Sequence, residues 1–243
     1  NQLWRSGVPK DVLQFVSTED NEIGQALITH PDVNAVILTG GYNTALLFSS
    51  WKNNLNLLAE TSGKNSMVLT ACCDIDLAVK DLAQSAFGHA GQKCSAASIA
   101  IVDKNIYENP IFKKQLLDAV QSLQVGAGYK YATSVGPIIK AAEHSLDRAL
   151  TSLDEGEEWL LEPKQLDQAG LLWSPGIKTN VKPGSWSHLN EWFGPVLAIM
   201  ISPDLKTSIK WQNATEFGLT AGIQSLDQGE CEYWIENVEV GNL

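Results

Sequence analysis

The chain has 243 residues, of which 44% are hydrophobic and 19% charged, and this balance is sufficient to bury a core as one large domain or two small ones. There are 17 Lys and Arg residues against 28 Asp and Glu, a formal charge of −11. Nucleic acids and anionic membrane surfaces are negatively charged too, so both are disfavoured as partners. No apolar run approaches the roughly 18–20 residues of a membrane-spanning helix. We therefore expect no nucleic-acid partner and no membrane insertion.

The cysteines form neither a zinc-binding pattern nor a disulfide framework. None of them belongs to a CxxC pair, and their spacing is not that of a small, loop-rich disulfide protein. The adjacent pair Cys72 and Cys73 follows an apolar stretch and is interpreted as packed small hydrophobic residues. We predict no metal site and a reducing compartment, which is the cytoplasm or, in a eukaryote, the mitochondrial matrix.

The first 60 residues alternate between strand-like and helix-like segments. The pattern predicts a strand over 12–17, a helix over 22–30, a buried strand over 34–40, a helix over about 43–56 and a short strand over 55–60. Such alternation is typical of a parallel α/β sheet, whose ligands bind at the carboxyl ends of the strands. Gly40 and Gly41 lie at one such end, where they form either a ligand-facing backbone before a helix or an ordinary tight turn.

A second α/β segment follows residue 60. The pattern predicts strands over 65–71 and 98–103, helices over 75–87, 110–123 and 144–156, and strand-like pieces over 170–181, 195–202 and 234–243. Asp74 is the expected N-cap of the first of these helices. The whole chain is thus predicted to be α/β.

Cys94 lies in a frame of small residues, GHAGQKCSAAS at 88–98. Small neighbours leave room for a substrate, and Lys93 adds a positive charge that favours the thiolate. A helix beginning in SAASIA (95–100) would favour it further through its N-terminus. These features are compatible with a nucleophile and also with a surface or core cysteine.

A nucleophilic cysteine needs a catalytic base, and the sequence offers two. His89 is five residues upstream, but such pairs usually come from distant segments, so His89 is interpreted as solvent-facing or structural. Glu60 ends an apolar strand, where a carboxylate is either a general base or simply solvated.

At this point the residues resemble a known family. The segments ETSGKN (60–65), GQKCSA (91–96), EWFGPV (191–196) and FGLTAGIQS (217–225) resemble, in order and approximate spacing, landmarks of the aldehyde dehydrogenase superfamily. Residues 7–17 and 30–41 also resemble the segment that precedes the family's catalytic glutamate, so the resemblance covers essentially the whole chain. With Ser95 after the cysteine, GQKCSA most resembles the pyrroline-carboxylate dehydrogenases of proline catabolism, which oxidise glutamate semialdehyde.

The resemblance implies a fold and a mechanism. Residues 1–61 would be the end of a Rossmann-type NAD-binding domain, and residues 62–243 an α/β catalytic domain carrying the thiol. Cys94 would add to an aldehyde to give a hemithioacetal, which passes hydride to NAD, with NADP as the alternative. Glu60 would activate water to hydrolyse the resulting thioester, and the covalent intermediate divides one difficult oxidation into two easier steps.

The resemblance also implies binding roles. Glu191 matches the carboxylate that binds the cofactor ribose, and Phe193 matches the aromatic residue near the nicotinamide. Gly40 and Gly41 match the turn that faces the pyrophosphate, although the family usually has Ser where Gly41 stands. Ser95 matches a hydroxyl that holds the substrate carboxylate.

Finally, the sequence resembles a fragment. It begins at Asn1 without Met, stops at the strand-like NVEVGNL, and matches neither the early Rossmann half, the oxyanion-hole Asn nor the ribose-contacting Lys of the family. We therefore expect little or no dehydrogenase activity from the isolated chain, because one oxyanion donor alone contributes about 100–1,000-fold.

The parent enzyme implied by the resemblance is a homo-oligomer, fused in bifunctional relatives to a flavin-dependent proline dehydrogenase domain. Two alternatives stay open beside it. One is a non-catalytic interaction or structural module, and the other is a cysteine hydrolase or acyltransferase that uses Cys94 with His89.

Overall fold

The computed structural model describes residues 2–18 and 21–243, and contacts divide the chain into two compact units, Asn1–Thr61 and Ser62–Leu243. Asn1, Glu19 and Asp20, which belong to the first predicted domain, lie outside the described residues. Both units combine helices with parallel strands, so the prediction of an α/β fold is confirmed. No helix formed by the described residues has the length and apolar character needed to cross a bilayer.

The first unit contains a two-stranded parallel sheet. Its elements are α1 (Gln2–Arg5), α2 (Glu22–Thr29), β1 (Val36–Thr39), α3 (Tyr42–Trp51) and β2 (Leu57–Glu60), with β1 paired to β2. Asn21 caps α2, because its side chain accepts hydrogen bonds from the N–H groups of Ile23 and Gly24 at 3.0 and 3.3 Å. The alternation of helix and strand predicted for 22–60 is confirmed, although α3 ends at Trp51 rather than near residue 56.

The prediction of a strand over 12–17 is wrong. This segment forms a turn followed by irregular chain. The carbonyl of Pro9 accepts the N–H groups of Val12 and Leu13 at 3.2 and 3.3 Å, which turns the chain back on itself. No described strand pairs with the segment, and Phe15 is 84% exposed, so its apolar alternation does not pack against a sheet face.

The second unit is a six-stranded sheet with helices. Its elements are β3 (Asn65–Leu69), α4 (Ile75–Phe87), β4 (Ala97–Asp103), α5 (Lys104–Glu108), α6 (Pro110–Gln121), α7 (His144–Thr151), β5 (Glu158–Leu161), β6 (Gly176–Thr179), α8 (Trp186–Leu189), β7 (Val196–Ser202), α9 (Leu205–Gln212), β8 (Ala221–Gln224) and α10 (Gln228–Asn237). The strand order is β5-β6-β7-β4-β3-β8, in which β5 and β6 are antiparallel and every other neighbouring pair is parallel.

The core is centred on β4 and β7. Nearly every residue of these two strands is buried, a pattern typical of parallel strands that are covered on both faces. Helix α4 adds Leu82 and Phe87 to this core, and α6 adds Phe112 and Leu116. The prediction of Asp74 as the N-cap of α4 is confirmed, because its side chain accepts the N–H of the helix's third residue at 3.1 Å.

The strand predicted over 98–103 is confirmed as β4, so SAASIA (95–100) begins no helix whose N-terminus could favour the thiolate. A turn covers Lys93 to Ala96, closed by the Ala96 N–H donating to the Lys93 carbonyl at 2.9 Å, and β4 begins at Ala97. The isoleucine and valine side chains that follow are more favourable in a strand, and β4 pairs with β3 on one side and β7 on the other.

The last strand-like segment, 234–243, is also predicted wrongly in its first part. Helix α10 continues to Asn237 and buries Trp234, whose indole N–H donates to the Gln212 side chain at 2.7 Å. Of the later residues only Asn242 forms a strand-like bridge, with Thr220. The helix predicted over 144–156 ends at Thr151, and the piece over 170–181 shortens to β6.

Candidate active site

Cys94 lies in the turn between α4 and β4, and its side chain is half-buried. A short 3-10 segment, Gly88–Gly91, precedes it. Three successive residues there, His89, Ala90 and Gly91, have left-handed backbone conformations, with φ of 54°, 55° and 67°. Two of the three carry a Cβ, which makes the conformation costly, so contacts from other segments must hold this turn.

Close backbone approaches explain the glycine-rich frame. A Cβ on Gly91 would lie far inside van der Waals contact with the carbonyl of Gly194. A Cβ on Gly63 would lie 2.5 Å from the carbonyl oxygen of Cys94. Gly91, just before the cysteine turn, and Gly63, in a facing loop, are therefore required by close packing, which brings residues 63 and 194 next to the thiol-bearing segment.

Asn65, the first residue of β3, is hydrogen-bonded directly to the turn. Its side-chain amide donates to the carbonyl oxygen of Cys94 at 2.7 Å. The contact is buried, since Asn65 is 5% exposed. The landmark ETSGKN therefore contacts the landmark GQKCSA through a side chain whose role the sequence analysis did not recognise.

The loop that carries Glu191 is held by the same segment. The Gly63 N–H donates to Glu191 Oε1 at 2.8 Å, and Lys64 Nζ lies 3.0 Å from the centre of the Trp192 ring. Lys64 is 3% exposed, and no hydrogen-bond partner for its amine is found among the described residues. Burial, reinforced by the positive charge of Lys178, holds the Lys64 pKa well below its usual value. The contact of this amine with the Trp192 ring joins the residue before β3 to the Glu191 loop.

Phe193 is fixed through its backbone. It has a left-handed conformation with φ of 51°, and its carbonyl accepts a hydrogen bond from the Gln92 side-chain amide at 3.1 Å. The oxygen of the same amide accepts the N–H of Ile139 at 2.9 Å. Gln92 thus connects the cysteine turn to two loops that are distant in sequence, while the Phe193 ring stays partly exposed.

A polar cleft of about 1040 Å³ lies beside the turn. Its lining includes Ser85, Gly88, His89, Lys93, Ser95 and Thr133. The cleft is large enough for a small polar substrate, and the two residues that flank Cys94 in sequence contribute to it. A second cavity, of about 590 Å³ between α4 and α6, contains none of the predicted site residues.

His89 is exposed and lines the polar cleft beside the cysteine turn. Its carbonyl accepts the Gln92 N–H at 3.0 Å. Within residues 2–18 and 21–243 no hydrogen bond joins the His89 ring to Cys94. The geometry therefore gives the hydrolase alternative no direct support. All four cysteines are unpaired, and the described residues contain no cluster of three metal-ligating side chains.

Three predicted site residues belong to the first unit. Gly40 follows β1 and Glu60 ends β2, and the Gly40 N–H donates to the Glu60 carbonyl at 3.3 Å. Gly41 is the N-cap of α3. These residues lie together at the carboxyl ends of the two strands. Cys94, Ser95, Glu191 and Phe193 belong to the second unit, so a catalytic pairing of Glu60 with Cys94 stays a prediction.

The family profile described as "Aldehyde dehydrogenase family" matches residues 1–243. The chain belongs to the aldehyde dehydrogenase family. The resemblance drawn from its four landmark segments is thereby confirmed.

Individual aldehyde dehydrogenase relatives narrow the comparison. A curated 1-pyrroline-5-carboxylate dehydrogenase from Bacillus licheniformis is 30% identical, over 99% of this chain and 48% of that protein. The structure of Proline Utilization A (PutA) from Corynebacterium freiburgense is 50% identical with a TM-score of 0.94, covering 99% of this chain and 25% of that one. The chain spans about half the length of the curated relatives it matches.

A third relative is a structure solved as a complex with NADP. It is the NADP-dependent glyceraldehyde-3-phosphate dehydrogenase from Bacillus halodurans complexed with NADP, which is 25% identical with a TM-score of 0.87. It covers 98% of this chain and 49% of that protein. Aldehyde dehydrogenases use NAD or NADP, and the comparisons leave the choice between the two open.

Two parts of this aldehyde dehydrogenase chain fit polar groups of such a cofactor. In the first unit no side chain among the described residues caps the N-terminus of α3, and a Cβ on Gly41 would enter open space, as a phosphate-binding backbone requires. In the second unit, the bond from Gly63 orients the Glu191 carboxylate, which suits it to accept hydroxyl hydrogens.

Sequence reasoning missed Lys64, Asn65 and Gln92. All three lie inside the landmark segments that carried the family resemblance. Their polar character within glycine-rich stretches was the available signal. The hydrogen-bond partners of the Asn65 and Gln92 side chains lie between 29 residues away, for Asn65 and Cys94, and 155 residues away, for Asn65 and Thr220, and local patterns do not encode such contacts.

Proposed function

We propose that the chain is part of an NAD(P)-dependent dehydrogenase that oxidises L-glutamate 5-semialdehyde to glutamate in proline catabolism. The observation that carries this proposal is the Cys94 turn, braced by Asn65 and Gln92 and flanked by the Glu191 loop. The names of the relatives, 1-pyrroline-5-carboxylate dehydrogenase and PutA, support this substrate over other aldehydes.

The chemistry begins at the thiol of Cys94. Its thiolate adds to the aldehyde carbon, so a C–S bond forms and the carbonyl oxygen becomes an alkoxide. NAD(P), when bound, supplies the hydride acceptor that takes this carbon to the oxidation level of a thioester. Glu60 then removes a proton from water, which attacks the thioester carbon, breaks the C–S bond and releases the carboxylate and the thiol.

The remaining predicted residues orient the reactants. Ser95 lines the polar cleft, where its hydroxyl can donate to a substrate carboxylate. When the cofactor binds, the Glu191 carboxylate held by Gly63 would accept ribose hydroxyls, and the partly exposed Phe193 ring would pack near the nicotinamide. The backbone at Gly40 and Gly41 would bind the pyrophosphate. Under this proposal, residues 1–61 contribute to the cofactor domain and residues 62–243 form the catalytic domain.

The isolated chain is expected to have little or no dehydrogenase activity. It spans about half of its curated relatives. Its first unit also exposes apolar strand residues, Ile37 by 80% and Leu58 by 58%, although parallel strands are normally covered on both faces. The active parent is proposed to be a homo-oligomer joined to a flavin-dependent proline dehydrogenase domain, as the PutA similarity suggests.

The nucleophile is tested by alkylation of the native chain with iodoacetamide near pH 7.5, with all four cysteines quantified by peptide mass mapping. Cys94 is expected to react at least about ten times faster than Cys72 or Cys73, because only the thiolate is nucleophilic. Burial raises the pKa of Cys73 to about 11, and the carboxylate of Glu230 raises that of Cys72. A Cys94 that reacts no faster than these two would favour a non-catalytic module.

The assignment of the base is tested in the longer enzyme by following NADH formation from glutamate semialdehyde. Cys94→Ala is expected to reduce the rate by about 10⁴-fold or more, and Glu60→Gln by about 10²- to 10⁴-fold. His89→Ala is the control and should retain activity. The cysteine hydrolase alternative predicts the reverse, a dependence on His89 and none on Glu60.

A further inference from the structure

Three segments of the second unit meet at the side chain of Asn65. Its amide nitrogen donates to the carbonyl oxygens of Cys94 and Ala96 at 2.7 and 3.0 Å. Its amide oxygen accepts the backbone N–H of Thr220 at 3.3 Å, where the chain enters β8. Because Asn65 is buried, these bonds are shielded from competing water. One side chain therefore joins the start of β3, the cysteine turn and the approach to β8.

An irregularity in the sheet gives Asn65 this position. Asn65 stands opposite Ala97 of β4, but the next residue, Ser66, stands opposite Ile99, so the register shifts between them. Such bulges change the direction of a nearby side chain and often adjoin active sites. Here the shift lies at Asn65, whose amide binds the carbonyl groups of Cys94 and Ala96.

The cysteine turn, Lys93 to Ala96, follows a strained segment. His89 and Ala90 in that segment have left-handed conformations although neither is glycine, and such conformations persist only where surrounding contacts determine them. Within the turn, the backbone bond from Ala96 to Lys93 closes a single loop. The two bonds from Asn65 fix carbonyl groups at and just after the cysteine, which determines the orientation of the peptide that follows its Cα.

We propose that Asn65 is a positioning residue for Cys94. Through the carbonyl groups of Cys94 and Ala96 it holds the turn in the conformation from which the thiol reacts. This inference rests on the proposed function of Cys94 as the nucleophile. It assigns Asn65 an effect through the backbone of the turn, separate from any contact with substrate.

The substitution Asn65→Asp tests the proposal because it removes the bonds that the amide nitrogen donates to the turn but keeps an oxygen for the bond from Thr220. An aspartate of the same shape can still accept the Thr220 N–H, but as a carboxylate it has no N–H to donate to Cys94 and Ala96. Its negative charge also disfavours the thiolate nearby. Iodoacetamide alkylation of Cys94 is expected to slow by about tenfold or more, while hydrogen exchange of the Thr220 amide and alkylation of Cys231 stay within about twofold of wild type.

Asn213→Asp is the matched control. Asn213 has the same bonding pattern at the end of α9, since its amide donates to the Asn237 carbonyl at 2.8 Å and accepts the Glu239 N–H at 3.0 Å. The change introduces the same charge in the same unit without a contact to the cysteine turn. Cys94 should be alkylated at the wild-type rate in this variant. If both variants slow Cys94 equally, the effect is general and the role assigned to Asn65 is wrong.

A second variant covers the case in which Asn65→Asp does not fold. Asn65→Ser keeps at most one donor and adds no charge, so amides of residues 93–96 should exchange at least about fivefold faster while those of β7 do not change. Unchanged exchange at 93–96 overturns the inference. A wild-type Cys94 that is no more reactive than the other thiols overturns the proposed function instead, and the exchange result still decides whether Asn65 holds the turn.

Discussion

The two sheets of this chain are built from similar strands but have opposite environments. Ile101 in β4 and Ile37 in β1 are the same residue type in parallel strands with continuous apolar runs. Ile101 is completely buried, whereas Ile37 is 80% exposed. The difference lies in what covers the faces of the sheets, because Ile101 belongs to a core to which α4 and α6 contribute, while the described residues leave most of the Ile37 side chain uncovered. Sequence pattern predicts that a strand forms, and the covering elements determine how far it is buried.

The largest expected difference between the regions is the cost of truncating these two isoleucines. Ile101→Ala should lower the free energy of unfolding by about 2–5 kcal/mol, because it leaves a cavity in the core. Ile37→Ala should change it by less than about 0.5 kcal/mol. Urea unfolding combined with hydrogen exchange of peptides from each unit measures both values.

A cost at Ile37 as large as that at Ile101 would contradict the comparison and show that β1 is covered in solution, for example by a second copy of the chain. Measuring Ile37→Ala and Ile101→Ala in the longer enzyme as well sharpens the comparison of the two sheets. There Ile37→Ala should approach the cost expected for a buried residue, since we propose that the parent enzyme covers this sheet.

A smaller difference is expected between the stability costs of replacing two glycines by alanine. Gly91→Ala places a Cβ against the Gly194 carbonyl at a positive φ, so overpacking and backbone strain together should cost about 2–4 kcal/mol. Gly41→Ala in the first unit meets open space at an ordinary φ of −76° and should cost less than about 1 kcal/mol. Thermal unfolding of both variants tests this. Equal losses would mean that the close approach of the two loops is absent in solution.

The smallest expected effect concerns pH. The buried His188 ring accepts the Gly184 N–H through Nδ1 at 2.9 Å and contacts the Trp211 carbonyl through Nε2 at 2.9 Å, so the neutral ring satisfies both bonds. Burial, opposed by the Trp211 bond and reinforced by the charge of Lys64, lowers the His188 pKa. The unfolded chain, with a usual histidine pKa near 6.5, then binds the proton more readily than the folded chain.

The second unit should therefore lose stability as pH falls below about 6.5. The difference in free energy of unfolding between wild type and His188→Gln should become smaller over the same range. Urea midpoints between pH 8 and pH 5 give this difference directly. His30→Gln, a change at an exposed ring in the first unit, is the control and should not alter unfolding of the second unit. A constant advantage of wild type over His188→Gln would show that the buried ring accepts a proton without penalty.

Local patterns predicted much of the fold. Helix α4 forms over the predicted residues, and the cores of β3, β4 and β7 agree with the apolar runs. The errors arose where an apolar pattern fits two structures, as at 12–17, which lacks a paired strand, and at 234–237, where Trp234 packs from a helix. Tertiary contacts decide such cases, and short patterns do not contain them.

The candidate site was predicted less completely than the fold. The sequence identified Cys94 by its frame of small residues, and Glu191 and Phe193 through the resemblance, but it gave no indication that Asn65 and Gln92 would brace them. Those contacts depend on a register shift in the sheet and on loops 29 and 101 residues away. Glycine-rich sequence showed that something approaches the backbone closely, whereas the identity of the approaching group requires the fold.

The contact between Gly91 and Gly194 has a consequence for building chimeras of related enzymes. Because Gly91 has no room for a side chain while the Gly194 carbonyl stays in place, the two loops must be inherited as a matched pair. A crossover anywhere between residues 91 and 194 joins a cysteine turn from one parent to a facing loop from the other. Shuffled libraries should therefore place crossovers outside this interval, or exchange both loops together.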